Sequence, residues 1–144
     1  RFGIDKMYPS VRIIHSTRRN LVEQAVSYMI ASQTKQWTSK QEGEAGIDPV
    51  YDYALISKLL EQSAAAELHV RTLSVLFDTR YMAVRYEAVT RNPKLAMEGI
   101  ARFADIDLSG WKPKKPPIEK QANDINKVFC DRYMKDRKAA LLKG

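Results

Sequence analysis

The chain has 144 residues, 44% hydrophobic and 28% charged, which excludes a disordered polyelectrolyte and fits one globular domain over residues 1–144. Its net charge of +7, from 24 Lys and Arg against 17 Asp and Glu, favours anionic partners without choosing among nucleic acid, an anionic membrane and a phosphorylated small molecule. One cysteine, Cys130, rules out an internal disulfide, and no apolar run approaches the roughly 20 residues of a membrane span.

In chain order, Val11 to Ser16 is short, β-branched and follows Pro9, which predicts a strand. Thr17-Arg18-Arg19-Asn20 then leads into a helix over Leu21 to Trp37, where Leu21, Ala25, Tyr28, Met29 and Ile30 recur near helical spacing. Thr38 to Pro49 is polar, contains Gly43 and Gly46, and reads as a loop. Asp48 and Pro49 suit the entry to a long helix over Tyr51 to Asp78, with Leu55, Ile56, Leu59 and Leu60 on one stripe that Leu73, Leu76 and Phe77 continue. Tyr81 to Tyr86 alternates and is rich in strand formers. Pro93 to Phe103 predicts a helix with proline in its first turn, residues 110–117 an extended Lys- and Pro-rich connection, and Asn123 to Leu142 a last basic helix.

Strands alternating with helices imply an α/β fold, a parallel sheet flanked by helices, here in a helix-rich form. Two strands do not complete such a sheet, so further strands are expected from residues outside this sequence or from a partner chain. The start at Arg1, without an initiator Met, gives the same expectation of a piece of a longer protein.

In parallel sheets ligands bind at the carboxyl ends of strands, where a phosphate meets backbone N–H groups and the positive end of the next helix. Ile13 to Asn20 places Arg18 and Arg19 at that point, and the planar guanidinium fork matches phosphate oxygens bidentately. Ser27 follows Arg19 by eight residues, a rise of about 12 Å if all are helical, much of which a long arginine spans. An arginine pair at a helix start is equally well read as a solvated cap.

The segment from Val11 to Ser27 (strand, double arginine, then Gln-Ala-Val-Ser) resembles the sulfotransferases, most of all the bacterial family that contains trehalose 2-sulfotransferase and the nodulation-factor sulfotransferases. Pro49-Val50-Tyr51-Asp52 with Ile56, Val84-Arg85-Tyr86-Glu87, Pro116-Pro117 and Lys120-Gln121 resemble further segments of that family, in order and at similar spacing. The resemblance implies a P-loop NTPase-like sheet and 3'-phosphoadenosine 5'-phosphosulfate as sulfuryl donor. It assigns the donor's 3'-phosphate to Arg19 and Ser27, and the acceptor side to Thr34 and Trp37. The acceptor it implies is a hydroxylated small molecule, a sugar or glycolipid, with a homodimer as the default assembly. This sequence lacks the Ser/Thr- and Gly-rich loop that holds the 5'-phosphosulfate in the family, and with it the family's catalytic base. No catalytic residue is therefore assigned, and the chain is expected not to complete a transfer alone.

Other residues have plainer readings. His15 reads as a packing histidine or a second neighbour of the phosphate, His69 as structural, and Glu87 as a cap or an arginine partner. Trp37 suits either sugar stacking or core burial, and Lys120 either a donor contact or, with Lys112, Lys114 and Lys115, solvated charge. Cys130 reads as an inert helix residue. One thiol and two histidines do not make a closed zinc site, so no metal is expected. The thiol count suggests a reducing, cytoplasmic setting, a cysteine-poor secreted protein being the alternative.

The competing function is a non-catalytic basic module binding nucleic acid through Lys112 to Lys115 and the terminal helix with Lys127, Arg132, Lys135, Arg137 and Lys138. Interspersed acidic residues and the absence of interleaved aromatics weigh against it, so nucleic acid is not the expected partner. A phosphoryl-transfer kinase sharing the same sheet is a third reading, without the ordered family resemblance.

Overall fold

Parallel pairing joins the two β-branched segments: β1 (Arg12–Thr17) and β2 (Arg80–Arg85) run in register from Arg12↔Arg80 to Thr17↔Arg85, so both strands end level. The computed structural model describes residues 10–37, 47–112 and 124–143. Its helices are α1 (Leu21–Thr34), α2 (Tyr53–Leu76), α3 (Tyr86–Arg91), α4 (Pro93–Ala104) and α5 (Asp124–Leu141). A parallel sheet within a largely helical chain is the α/β class the alternation implied. The chain divides into two compact units, residues 1–19 with 65–115 and residues 20–64 with 116–144.

The first unit holds the sheet, α3, α4 and the carboxyl-terminal part of α2. Helix α4 begins as its sequence predicts, with Pro93 in the first turn and the Asn92 side chain accepting from the Leu95 N–H at 3.1 Å. It ends at Asp105, whose left-handed φ of 55° turns the chain so that the Ile106 N–H reaches the Ala101 carbonyl at 2.9 Å. Gly99 lies against the Met82 methyl, where an added Cβ would make ordinary contact at 3.7 Å. At the amino ends of the strands, Arg12 donates to the Phe103 carbonyl at 2.9 Å and to Asp105. Arg80 lies 3.9 Å from the same carboxylate and over the Phe103 ring.

The second unit packs α1 against α5 around Ala25, Val26, Met29, Ile56, Phe129, Cys130 and Tyr133. Burying side chains such as Val26, Met29 and Ile56 stabilises by about 1.5–3 kcal/mol each relative to exposure. Buried hydroxyls find partners: Tyr133 Oη lies 3.0 Å from Ser57 Oγ, and Tyr51 donates to Asp136 at 2.9 Å. Burial first, then the Asp136 bond, raises the Tyr51 phenol well above its ordinary range.

Element ends differ from the sequence expectation for local reasons. Helix α1 stops at Thr34 rather than Trp37 because Lys35 takes a left-handed φ of 57°. Helix α2 enters through Asp52, which accepts from the Leu55 N–H at 2.9 Å, not through Asp48 and Pro49. Gln33 instead clasps the Val50 backbone, accepting from its N–H at 2.7 Å and donating to its carbonyl at 3.0 Å. The second strand stops at Arg85, and Tyr86, read as its last residue, opens the unforeseen α3. Most of the Thr38–Pro49 loop and the Lys114, Lys115, Pro116-Pro117 and Lys120-Gln121 segment lie outside the described residues.

Candidate functional site

The level carboxyl ends of β1 and β2 bring two dipeptides together, Arg18-Arg19 after the first strand and Tyr86-Glu87 after the second. The Arg18 guanidinium carbon lies 3.4 Å from the Tyr86 ring centroid, a face-on cation–π contact. The Arg19 backbone N–H donates to both oxygens of Glu87, at 3.3 and 3.2 Å. Both arginine side chains are exposed, and among the described residues no carboxylate lies within ion-pair distance of either guanidinium. Two unneutralised cations at the carboxyl edge of a parallel sheet make a site suited to an oxyanion.

The helix that follows contributes less than expected. Asn20 caps α1, its Oδ1 accepting from the Val22 and Glu23 N–H groups at 3.0 and 3.3 Å, and its Nδ2 donating to Glu23 at 3.0 Å. This side-chain cap takes two of the N–H groups that were to meet a phosphate.

The other expected site residues lie in the second unit, whereas Arg19 is in the first. Ser27 is exposed on α1. Thr34, half-buried, donates its hydroxyl to the Ile30 carbonyl at 3.0 Å and accepts from the Gln36 N–H at 3.4 Å, so only acceptor capacity is left for a ligand. Trp37 is 48% exposed and meets Tyr28 edge-to-face at 5.0 Å, so the core alternative for it is overturned.

The remaining residues follow their plainer readings. His15 is half-buried with Nδ1 2.9 Å from Tyr81 Oη. His69 is exposed on α2. Cys130 is buried, and burial, then the Glu23 and Asp131 charges, push its thiol up to about 11, which keeps it protonated and unreactive at neutral pH. Glu87 does pair with an arginine, but through the backbone amide rather than the guanidinium. On the basic helix α5, Arg132 stacks over Tyr51 at 4.1 Å and lies 3.8 Å from Asp136, so part of its charge is spoken for. No group of three His, Cys, Asp or Glu among the described residues is placed to hold a metal ion. None of their helices is long and apolar enough to cross a membrane. A wide-open concavity of about 430 Å³, lined by residues including Glu98, Arg102 and Asp105, lies at the other end of the sheet from the arginine pair.

Sequence reasoning named Arg19 and read Glu87 as a cap or the partner of some arginine, but it did not say which arginine and gave Tyr86 no partner. The signal was the shared ending of two parallel strands, which only the register makes visible. Among known proteins, the family model for Stf0 sulphotransferase matches residues 2–136. Nodulation protein H of Rhizobium meliloti is 30% identical over 88 residues, 60% of this chain and 35% of that protein, so the chain spans about a third of the curated relative it matches.

Proposed function

This chain belongs to the Stf0 sulphotransferase family, and on that premise we propose that it takes part in moving a sulfuryl group from 3'-phosphoadenosine 5'-phosphosulfate to a hydroxyl of a carbohydrate or similar small acceptor. The observation that carries the reading is the Arg18-Arg19 pair at the carboxyl edge of the sheet, its guanidinium groups free of described carboxylates. Arg19 binds the donor's 3'-phosphate bidentately and Ser27 donates its hydroxyl to the same group. Trp37 offers an exposed ring to an acceptor sugar, and Thr34 a lone pair.

In the transfer the acceptor oxygen forms a bond to sulfur in line with the departing 5'-phosphate oxygen. The S–O bond to that phosphate breaks, and adenosine 3',5'-bisphosphate leaves with the electron pair. Charge on the equatorial sulfuryl oxygens is met by fixed cations and N–H donors, without requiring a metal. The acceptor proton passes to a general base, for which no residue of this chain is nominated. The single thiol supports a cytoplasmic setting, and a homodimer is the assembly we favour.

Calorimetric titration of adenosine 3',5'-bisphosphate against adenosine 5'-monophosphate tests the reading. Selective binding of the bisphosphate, lost on combining Arg19→Ala with Ser27→Ala, supports it. Equal binding of the two nucleotides removes the 3'-phosphate site and brings forward the basic-module alternative.

A further inference from the structure

We propose that Tyr86 and Glu87 are positioning residues that hold the arginine pair in its anion-binding geometry, an inference that rests on the donor-phosphate reading above. A chain leaving a strand end is free to turn in several ways, so the direction in which Arg19 projects has to be fixed by something. Glu87 does so from the first turn of α3, just past the neighbouring strand, its carboxylate accepting from the Arg19 N–H with both oxygens at 3.2 and 3.3 Å. The bond is charge-assisted but long and shared between two oxygens, a modest tether that still selects one direction for an exposed turn.

The atom chosen is informative. A glutamate this close to an arginine usually pairs with its guanidinium, and would then compete with a phosphate for the same fork. Here the carboxylate is engaged by the main chain, and the Arg19 guanidinium meets no described carboxylate. Tyr86 acts on Arg18 in a complementary way. Stacking at 3.4 Å engages the face of the guanidinium and leaves its in-plane N–H edges pointing outward as donors. Consecutive residues of one strand exit thus hold consecutive arginines of the other, Arg19 through its main chain and Arg18 through its guanidinium face, and neither contact takes up the in-plane guanidinium donors. Arg18 becomes a second ligand for the same dianionic phosphate.

The test is an NMR titration of the 144-residue chain with adenosine 3',5'-bisphosphate, followed to millimolar ligand, with the Arg19 amide resonance as a second readout. Glu87→Ala is expected to weaken binding about tenfold, the worth of one charge-assisted hydrogen bond, and to shift the Arg19 amide upfield as its acceptor is lost. Glu87→Gln keeps a side-chain acceptor and is expected to restore affinity to within about threefold, where loss of a needed charge would not. Tyr86→Ala is expected to cost about fivefold, and Tyr86→Phe, which keeps the ring face, almost nothing. Unchanged binding by Glu87→Ala overturns the positioning role and leaves the donor site standing, as does a Glu87→Gln variant as weak as Glu87→Ala. A natural chain that binds no bisphosphate at millimolar ligand overturns the donor site itself.

Discussion

At the amino ends of β1 and β2, Arg12 and Arg80 converge on Asp105; at the carboxyl ends of the same strands, Arg18 and Arg19 meet no described carboxylate through their side chains. The first arrangement is internally satisfied. Arg12 is only 22% exposed, spends one nitrogen on the Phe103 carbonyl and another on Asp105, and thereby fastens α4 to β1. The second is left open towards solvent, its arginines steadied by a ring face and a backbone amide. The same residue type serves structure where its donors are consumed within the unit, and is available to a ligand where they are not.

The largest effect that sharpens the contrast belongs to the open end. Combining Arg19→Ala with Ser27→Ala is expected to weaken bisphosphate binding about 100-fold, some 2.7 kcal/mol, through loss of charge-assisted bonds. Thermal unfolding should hardly move, since exposed substitutions of this kind lie within about 0.5 kcal/mol. A variant that melts early instead would make Arg19 a structural residue and erase the difference between the ends.

The mirror experiment is Arg12→Ala, with an expected loss of about 1–2 kcal/mol in denaturant unfolding because the Phe103 carbonyl and Asp105 lose their donor. Bisphosphate affinity should stay within twofold of the natural chain, roughly the scatter of such measurements. Coupled loss of both would show that the two ends are not separable.

Smallest is Asp105→Asn, which keeps the left-handed backbone that asparagine tolerates and removes only the charge. Because the carboxylate is 67% exposed, the expected cost is about 0.2–1 kcal/mol, shrinking as salt screens the pair. A full effect persisting in 1 M salt would mean that hydrogen-bond geometry, not charge, joins Asp105 to the arginines.

How far this was legible in the sequence depended on the range of the cause. β-branched runs and apolar periodicity located both strands, the long helices and Pro93 at a helix start, because each is written within a few neighbouring residues. Helix ends were less legible where they turn on Lys35, Asp78 and Asp105, left-handed residues without the glycine that would announce them. Helix α3 was hidden because Tyr86, Val89 and Thr90 are strand formers and its six residues show no full apolar period. The family resemblance did surface Tyr86-Glu87 as a pair, but its partners are 68 residues from it in sequence and depend on the register of two strands. Asn20 was seen leading into α1, but not as the residue that would take the helix's own N–H groups.

Cys130 gives the second unit a built-in clock. It is the chain's one thiol, 7% exposed within α5, and its proton is held up to about 11, above the ordinary thiol range. That shift favours the fold fully below the unfolded thiol's value and is lost as pH climbs from there through about 11. At neutral pH an open conformation of the α1–α5 core is the one that exposes a thiolate, so reaction with a disulfide reagent reports the population of open core, and at reagent high enough to outpace reclosing it reports the opening rate. Labelling at the speed of a free peptide thiol would mean that this core spends much of its time apart; slow labelling that accelerates with denaturant would report its breathing through a residue the sequence already carries.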